Sequence, residues 1–233
     1  MTITRRTLLV ASATCLAAGA ASAKPVPALS DMMFDPMLPV LGNPDGDVTV
    51  AEFFDYACPT CKALHPDLKR VVAEDGGIRL VMKDWPINGG EVLYPARMVL
   101  AANTIGVYAQ AHDAMMALKG RLTLRRIDDA MRDAGVDVGA ARDALDVHLP
   151  AIDALLERNH AQARALSLVG TPGFIVGSTL YRRPVAPDEL RDLVAAIRRG
   201  LATGSPDISM PSLRLPSFDQ RAIVNDCAIT GSL

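Results

Sequence analysis

The chain is poor in cysteine. Four occur in 233 residues, and one of them, Cys15, lies in a leader-like segment, so a scaffold stapled by many disulfides is excluded. Aromatic residues are scarce too, at 4%, which speaks against a stacking surface for single-stranded nucleic acid. Neither sign of charge dominates, with 24 Lys and Arg against 26 Asp and Glu. The electrostatic footprint of a nucleic-acid partner is therefore missing. No flavin, nicotinamide or phosphate-binding motif occurs, and no second Cys-x-x-Cys is present to complete a zinc site.

What is present begins with a leader pattern. Arg5 and Arg6 precede an apolar stretch from Leu8, and Ala21-Ser22-Ala23 forms a small-residue cleavage site. The stretch is broken by Ser12, Thr14 and Gly19 and is too short for a durable membrane span, although an uncleaved anchor is the alternative. The segment Thr4–Leu9 is similar to a twin-arginine export signal. Cleavage after Ala23 leaves Cys58, Cys61 and Cys227, a close pair and one leftover thiol.

Residues 24–46 are rich in Pro and Gly and read as an extended lead-in. Val48–Phe54 is a nearly continuous apolar run of strand length, as in a strand buried on both faces. Cys58-Pro59-Thr60-Cys61 opens a helix with Pro at its first position. Gly76-Gly77 stop that helix, and a strand follows over Ile78–Met82. Strand, helix, strand in this order implies a parallel pair. Helical periodicity fills 91–155 and continues to Leu168, with Gly120, Gly135 and Pro150 as breaks and Thr123 and Asp137 as N-caps. Two short strands, Phe174–Val176 and Leu180–Arg182, and a helix over Asp188–Arg199 complete the pattern. Residues 201–233 read as a poorly ordered tail. The layout is thus 47–90 and 156–200 as the two parts of one α/β unit around a helical insertion.

Two cysteines three apart at a helix start can close a short disulfide. The first faces unpaired amide hydrogens and the positive end of the helix dipole, which favours a thiolate; the second lies one turn inside. Cys58 is then the nucleophile and Cys61 the resolving thiol. Half of a zinc site, a two-thiolate Cu(I) site and a structural disulfide are the competing readings of such a pair. Met32-Met33 and Met115-Met116 suggest either copper handling or gap-filling in the core. His65, on the same helix, reads as a solvated position. A second signal, Gly170-Thr171-Pro172-Gly173, stands directly before a strand, where X–Pro bonds can be cis and where an extended substrate could pair with the Thr171 backbone.

Glu52-Phe53-Phe54-Asp55-Tyr56-Ala57-Cys58-Pro59-Thr60-Cys61, Lys83-Asp84-Trp85-Pro86 and Gly170-Thr171-Pro172-Gly173-Phe174 together resemble the DsbA family of bacterial thiol oxidoreductases. Pro66 also matches the kinking proline in the active-site helix of thioredoxins. The resemblance covers roughly Asp47 to Arg199. It implies a thioredoxin-like α/β fold with an inserted helical domain, and a cis bond at Thr171-Pro172. It also implies a buried acid and lysine, Glu52 and Lys83, beneath the disulfide, tuning it together with Pro59 and Thr60. Thr60 stands where the strongest oxidases have His. The family further implies a periplasmic location, newly exported cysteine-containing substrates and reoxidation by a membrane quinone-linked thiol oxidase. It implies no metal and no cofactor beyond the Cys58–Cys61 disulfide itself.

Overall fold

The computed structural model describes residues 28–200, except 88, together with 208–209. The leader and its cleavage site, Cys15, Cys227 and most of the tail lie outside the described residues.

The elements run α1 (Leu29–Met33), β1 (Val40–Gly42), β2 (Val48–Phe54), α2 (Pro59–Asp75) and β3 (Ile78–Asp84). A 3-10 turn over Gly90–Val92 then leads into α3 (Leu93–Thr104), α4 (Tyr108–Ala117), α5 (Leu124–Asp133) and α6 (Val138–Ala165). The chain closes with β4 (Gly173–Val176), β5 (Thr179–Tyr181), α7 (Pro187–Arg198) and β6 (Ile208–Ser209). The sheet order is β1-β3-β2-β4-β5-β6. β2 and β3 are parallel, as a helical crossover requires, while β4 returns antiparallel to β2. This is a thioredoxin-like α/β fold with helices α3–α6 inserted between β3 and β4.

Caps explain the helix boundaries. Cys58 itself caps α2, its sulfur accepting from the Cys61 amide, and Gly76 ends that helix at φ 68°. Thr123 and Asp137 cap α5 and α6 through Arg126 N and Ala140 N.

The lead-in differs from the extended segment that its prolines suggest. It holds a helix and a strand, β1, that pairs antiparallel with the edge of β3. Pro150 does not break the insertion either, because α6 continues through it and across the 155/156 boundary. Pro150 lies on the exposed side, where the carbonyl left without an amide partner can face water. Residues 208–209 of the tail add a short strand to β5.

The register fixes two faces. Val50, Glu52 and Phe54 lie opposite Leu80, Met82 and Asp84, and on this side the Phe54 ring meets His112 of α4 edge-on at 5.0 Å. Thr49, Ala51 and Phe53 share the other face with Arg79, Val81 and Lys83. There the Arg79 guanidinium and the Lys83 ammonium donate to the carbonyls of Met33 and Met32 in α1. The Met pairs at 32–33 and 115–116 are all buried, so they fill the core.

The glycine that ends β1 is under steric constraint. Gly42 has φ 72°, and a Cβ there would stand 2.5 Å from both the Ile78 carbonyl oxygen and Val72 Cγ1. Gly42→Ala combines left-handed strain with a backbone clash, and we expect it to cost about 2–4 kcal/mol in urea unfolding. A loss below about 0.5 kcal/mol, the size of a neutral surface change, would contradict this packing.

Candidate functional site

The site forms where β2 ends. Asp55 turns the chain: its carboxylate accepts from Ala57 N at 2.7 Å and from Ile87 N at 3.0 Å, so it locks the turn before Cys58 to the loop after β3. Cys58 follows as N-cap and is half-buried, with Pro59 and Thr60 exposed beyond it, whereas Cys61 is fully buried. Both are free thiols. The Cys58 sulfur accepts from the Cys61 amide at 3.3 Å and donates to the Thr171 carbonyl at 3.3 Å. The Thr171–Pro172 peptide bond is cis. The start of α2 and the Thr171 carbonyl, far apart in sequence, thus meet at one reachable sulfur.

Beneath this pair the register separates two residues that the resemblance brings together. Glu52 lies opposite Met82, and Lys83 lies opposite Phe53. Cross-strand partners share a face and neighbours along a strand alternate, so Glu52 and Lys83 point to opposite sides of the sheet. Glu52 is on the cysteine side, where its charge is felt by Cys61. Burial raises its carboxyl to about 8. Lys83 is held instead over the Phe53 ring, with its ammonium on the Met32 carbonyl. Burial lowers it to about 7, and the Asp35 charge opposes that drop. Lys83 therefore anchors α1 and does not sit beneath the disulfide. Burial pushes the Cys61 thiol far above the usual range, and the Glu52 charge adds to this.

Other residues of the site have no role that a local pattern reveals: Tyr56 and Asp84 lie inside the motifs of the resemblance, Tyr108 and His112 outside them. Asp84, Tyr56, Tyr108 and His112 form a buried polar cluster behind the turn. The Tyr56 hydroxyl lies 2.8 Å from His112 Nδ1, and the Tyr108 hydroxyl lies 3.4 Å from the same nitrogen. The Asp84 carboxyl oxygens and His112 Nε2 have no hydrogen-bond partner among the described residues. Burial pushes Asp84 well up and His112 well down, each toward its uncharged form, because an isolated buried charge is costly. His65 is buried rather than solvated, with Nε2 2.8 Å from Asp113 Oδ1 and its ring 4.9 Å from that of His112. The helical period of α2 could not reveal this, because the face it covers belongs to α4. Lys62 donates to the carbonyls of Met115 at 2.8 Å and Leu118 at 2.5 Å, closing the end of α4.

Among the described residues, no three His, Cys, Asp or Glu side chains converge as a metal cluster would, and no helix is long and apolar enough to cross a membrane. A family model described as Thioredoxin matches residues 35–196. The chain belongs to the thioredoxin family.

Within that family the likeness extends to solved structures. A thioredoxin-like oxidoreductase from Silicibacter pomeroyi DSS-3 is 35% identical with a TM-score of 0.70, over 74% of this chain and 99% of that one. The thiol-disulfide exchange protein alpha-DsbA2 from Wolbachia pipientis is 29% identical with a TM-score of 0.69, over 72% of this chain and 91% of that one. Among curated proteins, the Na(+)/H(+) antiporter NhaA 1 of Salinispora arenicola is 26% identical over 188 residues, and this chain spans 27% of its length. With the family match, the likeness to these two solved proteins makes this thioredoxin-family chain DsbA-like.

Proposed function

We propose that the oxidised protein introduces disulfides into exported polypeptides by exchange at Cys58-Pro59-Thr60-Cys61. The observation that carries this reading is the unequal placement of two sulfurs on one helix turn. Cys58 is reachable beside the Thr171 carbonyl, and Cys61 is sealed beneath it.

A substrate thiolate attacks Cys58 Sγ. The Cys58–Cys61 bond breaks, and its electron pair goes to Cys61, which takes up a proton. Glu52, protonated at neutral pH, supplies that proton. A second substrate thiolate then attacks the substrate sulfur of the mixed disulfide and releases Cys58. Two substrate thiols become a disulfide, and the cysteine pair carries both electrons away without a further cofactor. A membrane quinone-linked thiol oxidase would restore the Cys58–Cys61 bond, and the leader pattern directs the chain to the periplasm.

Equilibration with glutathione buffers tests the direction. An oxidase equilibrates above about −180 mV, whereas a value near about −270 mV would overturn the reading in favour of a reductase. Stoichiometric Cu(I) retention without turnover would overturn it in favour of a metal-binding module.

A further inference from the structure

We propose that the groove between α2 and α4 holds an extended segment of the substrate polypeptide that carries acidic side chains about three to five residues from its reacting cysteine. This rests on the exchange reading above and names the substrate feature that its site selects.

The groove encloses about 970 Å³ and opens at Ala57 and Pro59, the two neighbours of Cys58. Along α2 it follows Pro59, Lys62, Ala63, Pro66 and Lys69, spaced three and four apart, as one side of a helix requires. At about 1.5 Å per residue this stripe is roughly 15 Å long, which an extended chain crosses in four or five residues at about 3.3 Å each. A substrate joined to Cys58 leaves the sulfur in two directions. One runs past the Thr171 backbone; the other enters this groove. Because the mixed disulfide tethers the segment, even a weak contact there is made at high effective concentration.

The lining selects the chemistry. Pro59, Ala63, Pro66, Met116 and Ala117 offer apolar surface, while the charged groups are lopsided. Lys62, Lys69 and Lys119 line the groove, and Asp113 is the carboxylate among its lining residues. Asp113 is already shared by His65 and Lys69. Lys69 keeps 59% of its side chain exposed despite that ion pair, and Lys119 is exposed on the far rim. Both can turn toward an incoming carboxylate. Basic segments meet repulsion in the same place, so the groove discriminates mainly through encounter rate and early dwell time.

Oxidation of paired-cysteine peptides tests this. The peptides are matched in sequence and carry either two Glu or two Lys, at the fourth and fifth positions from one cysteine. With wild-type protein at low salt, kcat/KM is expected to be at least tenfold higher for the Glu peptide, and the ratio should shrink as salt rises. In Lys69→Glu/Lys119→Glu the preference should invert. Lys119→Glu alone, which leaves the Asp113 pair intact, should reduce it about threefold. Equal rates for the two wild-type substrates, or a preference that survives the double change, would overturn the groove. Dithiothreitol, too small to use the groove, separates the two levels. Wild-type protein that oxidises dithiothreitol but ignores peptide charge refutes the groove alone; protein that fails to oxidise it refutes the exchange reading.

Discussion

Replacing Cys58 by serine should abolish thiol–disulfide exchange, and replacing Cys61 by serine should instead accumulate mixed disulfides. The two outcomes differ because the sulfurs are not equivalent. A serine hydroxyl cannot form a bond to sulfur, so losing the accessible partner removes the attack point altogether. With Cys61 absent, a substrate captured on Cys58 has no neighbouring thiol to displace it. The buried position of Cys61 also shields it from direct attack, so it cannot take over the first step in the Cys58→Ser protein. Non-reducing gels and intact-mass spectra after mixing with glutathione disulfide read both effects. Full turnover by the Cys61→Ser protein would end this assignment of roles.

The second large effect concerns Glu52. Its carboxyl is raised to about 8 in the folded chain from an ordinary value of 4.5, so the folded state holds this proton more tightly than the unfolded state does. The associated stability is fully present below about 4.5 and is lost as pH rises through 8. At about 1.4 kcal/mol per pH unit, the wild type should lose about 3–4 kcal/mol between pH 5 and 8 relative to Glu52→Gln. Asp84, also raised, slopes the same way, while the lowered His65 and His112 slope the other way. These contributions are common to both proteins and cancel in the difference. Urea titrations of the two reduced proteins across that range give the comparison. Parallel stability curves would show that Glu52 titrates normally and is not held in an apolar site.

The Lys83 assignment shows where a linear pattern stops. The offset from Cys58 places Glu52 correctly within its strand, because one strand has a period of two and the cysteines mark its end. Lys83 lies on a different strand, and its face depends on how β3 slides against β2. No residue near Lys83 records that register; the packing of the whole crossover sets it. His65 fails for a related reason. Its position on α2 is readable, but the surface that covers it comes from α4, more than forty residues on.

Pattern along the chain was enough for the chemistry: a strand running into Cys58-Pro59-Thr60-Cys61, a helix started by Pro59 and stopped at Gly76, and Thr171-Pro172 ahead of another strand. Each of these is a local rule of backbone geometry, satisfied within a few residues. Tertiary structure decided which charged groups share a space. It put Glu52 under Cys61 and sent Lys83 to the opposite face. It buried Asp84 with Tyr56 and His112, and opened a lysine-lined groove beside the sulfur. Those outcomes depend on contacts between segments far apart in sequence, and burial and charge act through space rather than along the chain.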